Sequence, residues 1–397
     1  MKVKGGEALT DCLHEILSNY STPAFVFDEN EVIRRSEMIR DILGEISLCY
    51  SIKANPFLIP ALLPEVDYLE VCSPGELSIC TALKVPPEKI IYSGLQKGAE
   101  DINEALRYGA AIITAESEMQ YGLIHESAVR SEVRTDVILR LSSGNQFGMS
   151  ADSVERILAD RDDRVNIAGL HYFAGTGRHK LSKQREELKM LSEFMGNLRE
   201  KYGIELPMLE YGPGLPFPYF TDEDFSDTLL PLKEIADDLT EAGKKCRLSV
   251  EMGRFLASSC GYYLTSVRDV KKTGDTNWCI VDGGINHVNY YGQMMGMKIP
   301  LITHYRNGEC VGDSKDETWT VCGSLCTIND ILVRALPLND PKPGDILVFK
   351  NIGAYSVTEA IGLFLSRTLP QIIACRDGRV RMLRDYRESW EINIPMD

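Results

Sequence analysis

The sequence predicts a (β/α)8 barrel followed by a mostly antiparallel β domain. Short apolar runs alternate with stretches of helical period eight times, the pattern of a parallel sheet with helical crossovers. From about residue 255 the alternation gives way to strand-like runs joined by turns, with few long helices. Chemistry-bearing residues also gather at the ends of the predicted parallel strands, where such a barrel carries its functional groups. A doubly wound open sheet is the alternative, since periodicity alone does not show closure.

The first strand signal, Pro23-Ala-Phe-Val-Phe-Asp28, precedes the barrel and could pair into the β domain. A charged helical stretch, Glu29 to Leu43, follows it. Barrel strands are expected at Leu48–Ile52, Tyr68–Cys72, Lys89–Ser93, Ala111–Ala115, Asp136–Leu141, Asn166–His171, Met208–Tyr211 and Arg247–Glu251. Helical stretches fall between them, as at Pro74–Leu83, Ala99–Tyr108, Glu116–Ala128, Ser150–Ala159, Lys183–Tyr202 and Phe225–Ala242. Further on, Gly261–Val267, Trp278–Asp282, Thr318–Cys322 and Asp345–Lys350 read as strands, with turns such as Lys342-Pro-Gly-Asp. The expected division is an N-terminal segment 1–28, a barrel 29–255 and a β domain 256–397.

Of the 397 residues, 44% are hydrophobic and 25% charged, ordinary for a globular chain of this length. A net charge of −15 argues against nucleic acid and anionic membranes as partners. The eleven cysteines are scattered without zinc spacing, which suggests reduced thiols, no metal and a cytoplasmic protein. The N-terminus lacks the apolar core of a signal peptide, and no uninterrupted apolar run reaches about 18 residues.

Tyr50-Ser-Ile-Lys-Ala-Asn-Pro56 places Lys53 at or near the C-terminal end of the first barrel strand, where Asn-Pro stops it. A lysine held there is either a snorkelling cation or a nucleophilic amine. Three other strand ends favour the second reading. His171-Tyr-Phe-Ala-Gly-Thr-Gly177 offers aromatic rings and small turn residues. Glu210-Tyr-Gly-Pro-Gly214 offers backbone N–H groups to an anion, and Glu251-Met-Gly-Arg254 adds a carboxylate and a guanidinium. Each alone is an ordinary turn or ion-pair signal. Together they meet the needs of pyridoxal 5′-phosphate: an amine for the imine, donors for phosphate, a carboxylate for the pyridine nitrogen and a ring to stack.

At this point the chain resembles the fold-type III pyridoxal-phosphate-dependent decarboxylases, the ornithine and diaminopimelate decarboxylase group with its alanine-racemase-like barrel. The resemblance runs from about Pro23 to Leu369. It rests on Tyr50–Asn55, Cys72-Ser-Pro-Gly-Glu76, Gln146-Phe-Gly148, Glu251–Arg254, Cys322-Gly-Ser-Leu-Cys-Thr-Ile-Asn-Asp330 and Gly353-Ala-Tyr355, in order. It implies that Lys53 forms the internal imine and that Glu251 faces the pyridine nitrogen. Gly212, Gly214, Gly253, Arg254 and Tyr355 would hold the phosphate, with Phe173 and Thr176 in the same site. Cys326 would come from a second subunit and protonate the quinonoid carbon after CO2 leaves the external aldimine. A head-to-tail homodimer with shared active sites is implied as well.

The departures bear on the substrate. Phe173 stands where these decarboxylases commonly have His against the cofactor face, and His171 falls two residues earlier. Thr327 follows the cysteine where basic-amino-acid and diaminopimelate decarboxylases place an acid. Thr327 and Asp330 would line the substrate, and with Asp330 the one acid retained in that loop a bare distal ammonium would lose a charged partner, typically about 1.5–3 kcal/mol. The Cys-Thr-x-x-Asp loop, Phe-Ala-Gly-Thr and Phe364-Leu-Ser-Arg367 look more like the secondary-metabolism branch, which acts on conjugated or carrier-tethered amino acids. A diaminopimelate or basic-amino-acid decarboxylase proper, a racemase and a non-catalytic pyridoxal-binding protein are the rival readings. Pro56-Phe-Leu-Ile after Lys-Ala-Asn counts against the racemase, and the β domain with its Cys326 loop against the last.

Overall fold

The computed structural model describes residues 7–395, which divide into a barrel unit and a β unit. The barrel unit comprises Arg35–Pro216 and Leu229–Leu256. After the strand β1 (Ala24–Asp28), the barrel strands are β2 (Ser47–Ser51), β3 (Tyr68–Val71), β4 (Ile90–Tyr92) and β5 (Ile112–Ala115). They continue as β6 (Thr135–Arg140), β7 (Val165–Phe173), β8 (Met208–Gly212) and β9 (Arg247–Met252). All pair in parallel, and β9 returns to β2 through Cys49↔Glu251, which closes the barrel. The open-sheet alternative is thereby removed.

Inward-facing residues explain why one end of the barrel is reactive. Cys49, Ile91, Ile112, Ile138, Ala168 and Met208 form an apolar cluster across the strands. Side chains on one face of a strand recur every second residue. The next positions along those faces include Ser51, Thr114, Arg140 and Glu210, so the filling turns from apolar to polar toward the C-terminal strand ends.

The β unit comprises the chain up to Arg34, Phe217–Thr228 and the chain from Ala257 onward. Its strands are β10 (Gly261–Thr273), β11 (Thr276–Val281), β12 (Ile302–Arg306), β13 (Glu309–Cys310) and β14 (Trp319–Cys322). They continue as β15 (Ile331–Leu336), β16 (Ile346–Lys350), β17 (Gln371–Arg376) and β18 (Arg379–Arg384). The main path runs β13-β12-β16-β10-β1-β17-β18, and β11, β14 and β15 extend from β10. β1 pairs antiparallel with β10 and parallel with β17.

Two expectations change. The helical stretch Phe225–Ala242 becomes two short helices, Leu230–Lys233 and Ala236–Gly243. Pro231 sits in the first turn of the first helix, where a proline is tolerated, instead of inside a longer helix. The second change concerns the cysteines. A helix, Glu7–Asn19, packs on the sheet through Cys12, Leu13 and Ile16 against residues such as Val26, Leu264 and Ile373. Cys12 and Cys375, 363 residues apart, are joined there as a buried disulfide, so the thiols are not all reduced. Nine other cysteines are free. Such a pairing is tertiary and leaves no local spacing to read.

Candidate active site

Lys53 lies just past β2, in a single 3-10 turn, Ile52–Ala54. Asn55 fixes that turn: its side chain accepts from Phe57 N (3.1 Å), and its carbonyl accepts from the buried Tyr50 hydroxyl (2.9 Å). The Lys53 ammonium donates to the Glu70 carboxylate, lies 3.4 Å from Glu251 Oε1 and 3.5 Å from Cys72 Sγ. Its side chain is 37% exposed, whereas those of Glu70 and Glu251 are 3% and 7% exposed. The lysine therefore brings a cation to a mouth whose floor is acidic.

Glu251 also accepts from Ser51 Oγ (2.6 Å) and lies 3.4 Å from His171 Nε2. Burial alone would raise its pKa, but the Lys53 charge and the His171 contact hold it well below the ordinary carboxylate range. A buried carboxylate that stays ionised is what a protonated pyridine nitrogen requires.

The other barrel residues converge on the same strand ends. Phe173 and Gly212 are register partners at the ends of β7 and β8. A Cβ on Gly212 would collide with the Phe173 ring and lie 3.2 Å from Glu251 Oε2, so glycine there lets the ring lie beside the carboxylate. Gly214 has φ +62°, and a Cβ on it would strike the Gly175 carbonyl. The Gly-Pro-Gly and Phe-Ala-Gly-Thr loops thus meet backbone to backbone, joined by Arg178 N donating to Gly214 O (2.9 Å), with Thr176 between them in sequence. Gly253 and the buried Arg254 follow β9, the neighbour of β8. The amine, the ionised carboxylate, the phenyl face and the glycine backbone fit pyridoxal 5′-phosphate. Among the described residues no cluster of three or more His, Cys, Asp or Glu could hold a metal, and no helix is long and apolar enough to cross a membrane.

In the β unit, Cys326 is exposed on the loop between β14 and β15. Asp330 behaves differently from the expected substrate contact. It is buried, with Oδ1 accepting from Ile285 N (2.9 Å) and Oδ2 from Leu325 N (2.7 Å). Gly284 and Gly323 close around this carboxylate so tightly that a Cβ on either would clash with it. The acid ties the loop's own backbone at Leu325 to the segment after β11 at Ile285. Thr327 Oγ1 accepts from Asn329 N (3.3 Å), and Arg367 donates to Ser324 O (2.5 Å). A cavity of about 500 Å3 lies beside this loop, lined by Cys326, Ser324, Arg367, Arg268 and Asp282 among others. Tyr355 precedes the short helix Ser356–Glu359 with φ 68°.

Nothing in the sequence singles out Glu70 or gives His171 its contact with Glu251. The signal for Glu70 was an acid alternating with apolar residues in Tyr68-Leu-Glu-Val71, but alternation does not say which residue faces the barrel axis.

Residues 29–258 match the family described as pyridoxal-dependent decarboxylase, pyridoxal binding domain. The chain is 27% identical to the diaminopimelate decarboxylase of Methanocaldococcus jannaschii, over 96% of this chain and 92% of that one. It is 26% identical to the L-glutamyl-[BtrI acyl-carrier protein] decarboxylase of Niallia circulans, over 93% and 92%. Among solved structures it resembles the M. jannaschii diaminopimelate decarboxylase, with TM-score 0.82, 23% identity and coverage of 96% and 93%. It also resembles the lysine/ornithine decarboxylase of Vibrio vulnificus complexed with putrescine, with TM-score 0.79, 21% identity and coverage of 93% and 98%. The family match spans more than half of the chain and contains every strand of the barrel, so this protein belongs to the pyridoxal-dependent decarboxylases.

Proposed function

We propose that this decarboxylase acts on an α-amino acid whose distal end carries no bare ammonium and is conjugated, as in a thioester to a carrier protein. The observation that carries this reading is the state of Asp330. Its two oxygens each accept a backbone N–H, from Ile285 and Leu325, and the side chain is buried between Gly284 and Gly323, so the one acid retained in the Cys326 loop is not presented to a distal ammonium. The next residue after Cys326 is Thr327, and the cation Arg367 holds Ser324 close by. A roomy cavity beside Cys326 suits a longer substrate. Similarity to a relative named for a glutamyl group on an acyl-carrier protein supports the same reading.

Pyridoxal phosphate, when bound, supplies the electron sink into which the bond to the carboxylate breaks. Within that chemistry Lys53 would hold the cofactor through its amine. Glu251 would favour a proton on the ring nitrogen, and Phe173 would offer a ring face without adding charge. Backbone N–H groups of Gly212 and Gly214, with Gly253, Arg254, Thr176 and Tyr355, would hold the phosphate. Cys326 would be the thiol that supplies the proton replacing CO2. The same reading makes the enzyme a homodimer in which Cys326 serves the partner's site, and places it in the cytoplasm, with nine free thiols in support.

A substrate panel scored by CO2 release tests the proposal. Free diaminopimelate, lysine and ornithine are compared with aminoacyl thioesters of pantetheine and of a carrier protein. Faster release from the thioesters is expected; a free diamino acid as the best substrate would sink the reading.

A further inference from the structure

Beneath the Lys53 mouth lies a buried acid that the reaction outlined above does not use. Glu210, in the middle of β8, has no solvent exposure at all. Its register partners are His171 on β7 and Ser249 on β9. Neither carboxyl oxygen meets an N–H or O–H donor among the described residues, and the weak thiol donor of Cys49 is the group beside it. The titratable groups that face it are His171 from β7, Glu251 from β9, Glu70 from β3 and the Cys49 thiol from β2. Arg140, the register partner of His171 on β6, is engaged by Glu116 (2.7 Å).

An unpartnered, ionised carboxylate in such a place is strongly disfavoured. Burial, with repulsion from Glu251 and Glu70, pushes the Glu210 carboxyl up to about 7, against the opposing pull of His171. It is therefore a neutral acid over the lower part of the physiological range and an anion above it. His171 links it to the functional carboxylate, because its Nε2 lies 3.4 Å from Glu251 Oε2 while Nδ1 has no partner among the described residues.

We propose that Glu210 is a positioning residue: set against His171, it fixes the protonation of the His171–Glu251 pair, and through that pair the charge presented to the cofactor's ring nitrogen. The proposal rests on the reading that Glu251 faces that nitrogen. The site then contains three acids with separate duties. Glu70 balances Lys53, Glu251 stays ionised, and Glu210 carries the exchangeable proton. Loss of that proton adds a negative charge to a closed, low-dielectric row, so the ring and its imine titrate differently above the transition than below it.

The test is a pH titration of the visible imine absorbance of the holoenzyme, from about pH 5 to about pH 9. Wild type, E210Q, H171N and E251Q are compared. Wild type is expected to show an inflection near the Glu210 transition at about 7, in addition to that of the imine. E210Q, which keeps the shape and stays neutral, is expected to bind cofactor normally and to lose that inflection, and H171N to lose it too. An inflection that persists in E210Q overturns the proposal. If E251Q alters the band while E210Q and H171N leave it unchanged, the role of Glu210 falls and that of Glu251 stands. If E251Q leaves the band unchanged, the placement of Glu251 falls, and the proposal with it.

A second readout needs no cofactor. The folded chain holds the Glu210 proton up to about pH 7, whereas an unfolded glutamate releases it near pH 4.3. Between those values the folded state binds the extra proton, so rising pH removes stability across this window. E210Q is expected to lose less in thermal midpoint across the window than wild type. Identical slopes for the two proteins would show that Glu210 is not the titrating group.

Discussion

Lys53 sits between two carboxylates of unequal standing. Glu70 takes its hydrogen bond directly, while Glu251 lies 3.4 Å away and is shared with Ser51 and His171. Removing the lysine therefore does more than delete an amine. K53A is expected to abolish the visible imine band and turnover, and borohydride should trap no covalent adduct. Retention of a reducible adduct would refute the assignment. The same substitution takes away the cation that holds Glu251 ionised, so the Glu251 pKa should move up in K53A. Wild-type Glu251, whose pKa is depressed, contributes stability above the unfolded value of about 4.3 and loses it as pH falls further. K53A should show a weaker acid-side loss of thermal midpoint. At this scale the sequence was informative wherever residue type and chain position coincide. Lys53, Phe173 and Glu251 all lie at strand ends whose apolar runs were plain. Glu70 and Glu210 were harder to read, because an acid in a parallel strand looks the same from the chain whether it ends in water or on the barrel axis.

At the scale of elements, the Cys326 loop shows how a carboxylate can organise a site without touching substrate. Asp330 ties Leu325 N and Ile285 N together, and Gly323 N returns to Asp330 O (3.1 Å). The loop's tip is left exposed, with Ile328 89% accessible beside Cys326. D330A would leave two buried backbone donors without their charged acceptor, at about 1.5–3 kcal/mol for each bond. A lower thermal midpoint is expected, together with a changed rate of iodoacetamide alkylation at Cys326, read by peptide mapping. An unaltered alkylation rate would show that the loop keeps its form without the clip. From the sequence Asp330 read as a substrate contact, because burial of a loop acid by Gly284 and Gly323 is a tertiary fact. The sheet shows the same boundary. β16 was legible from its apolar run. β18, Arg379-Val-Arg-Met-Leu-Arg384, was not, since its short alternation breaks at Met382-Leu383 and its arginines mark an exposed edge.

At the scale of the whole molecule, the proposed chemistry divides its residues between the two units, with Lys53 in the barrel and Cys326 in the β unit. If each site is built from the barrel of one subunit and the Cys326 loop of the other, two inactive variants must complement each other. K53A and C326A homodimers each lack one essential group in both sites. Mixed by unfolding and refolding, or by co-expression, they form hybrids in which one site carries both defects and the other carries neither. Random assortment puts about half of the dimers in the hybrid form, so about a quarter of all sites regain full function. Should Cys326 instead serve its own subunit, every hybrid site would retain one defect and mixing would restore nothing. C326A alone should still show the imine band, because the thiol has no part in holding the cofactor. Recovery measured against the mixing ratio should follow the product of the two variant fractions, peaking at equal amounts. A flat response across ratios would overturn the shared-site reading even if the protein sediments as a dimer.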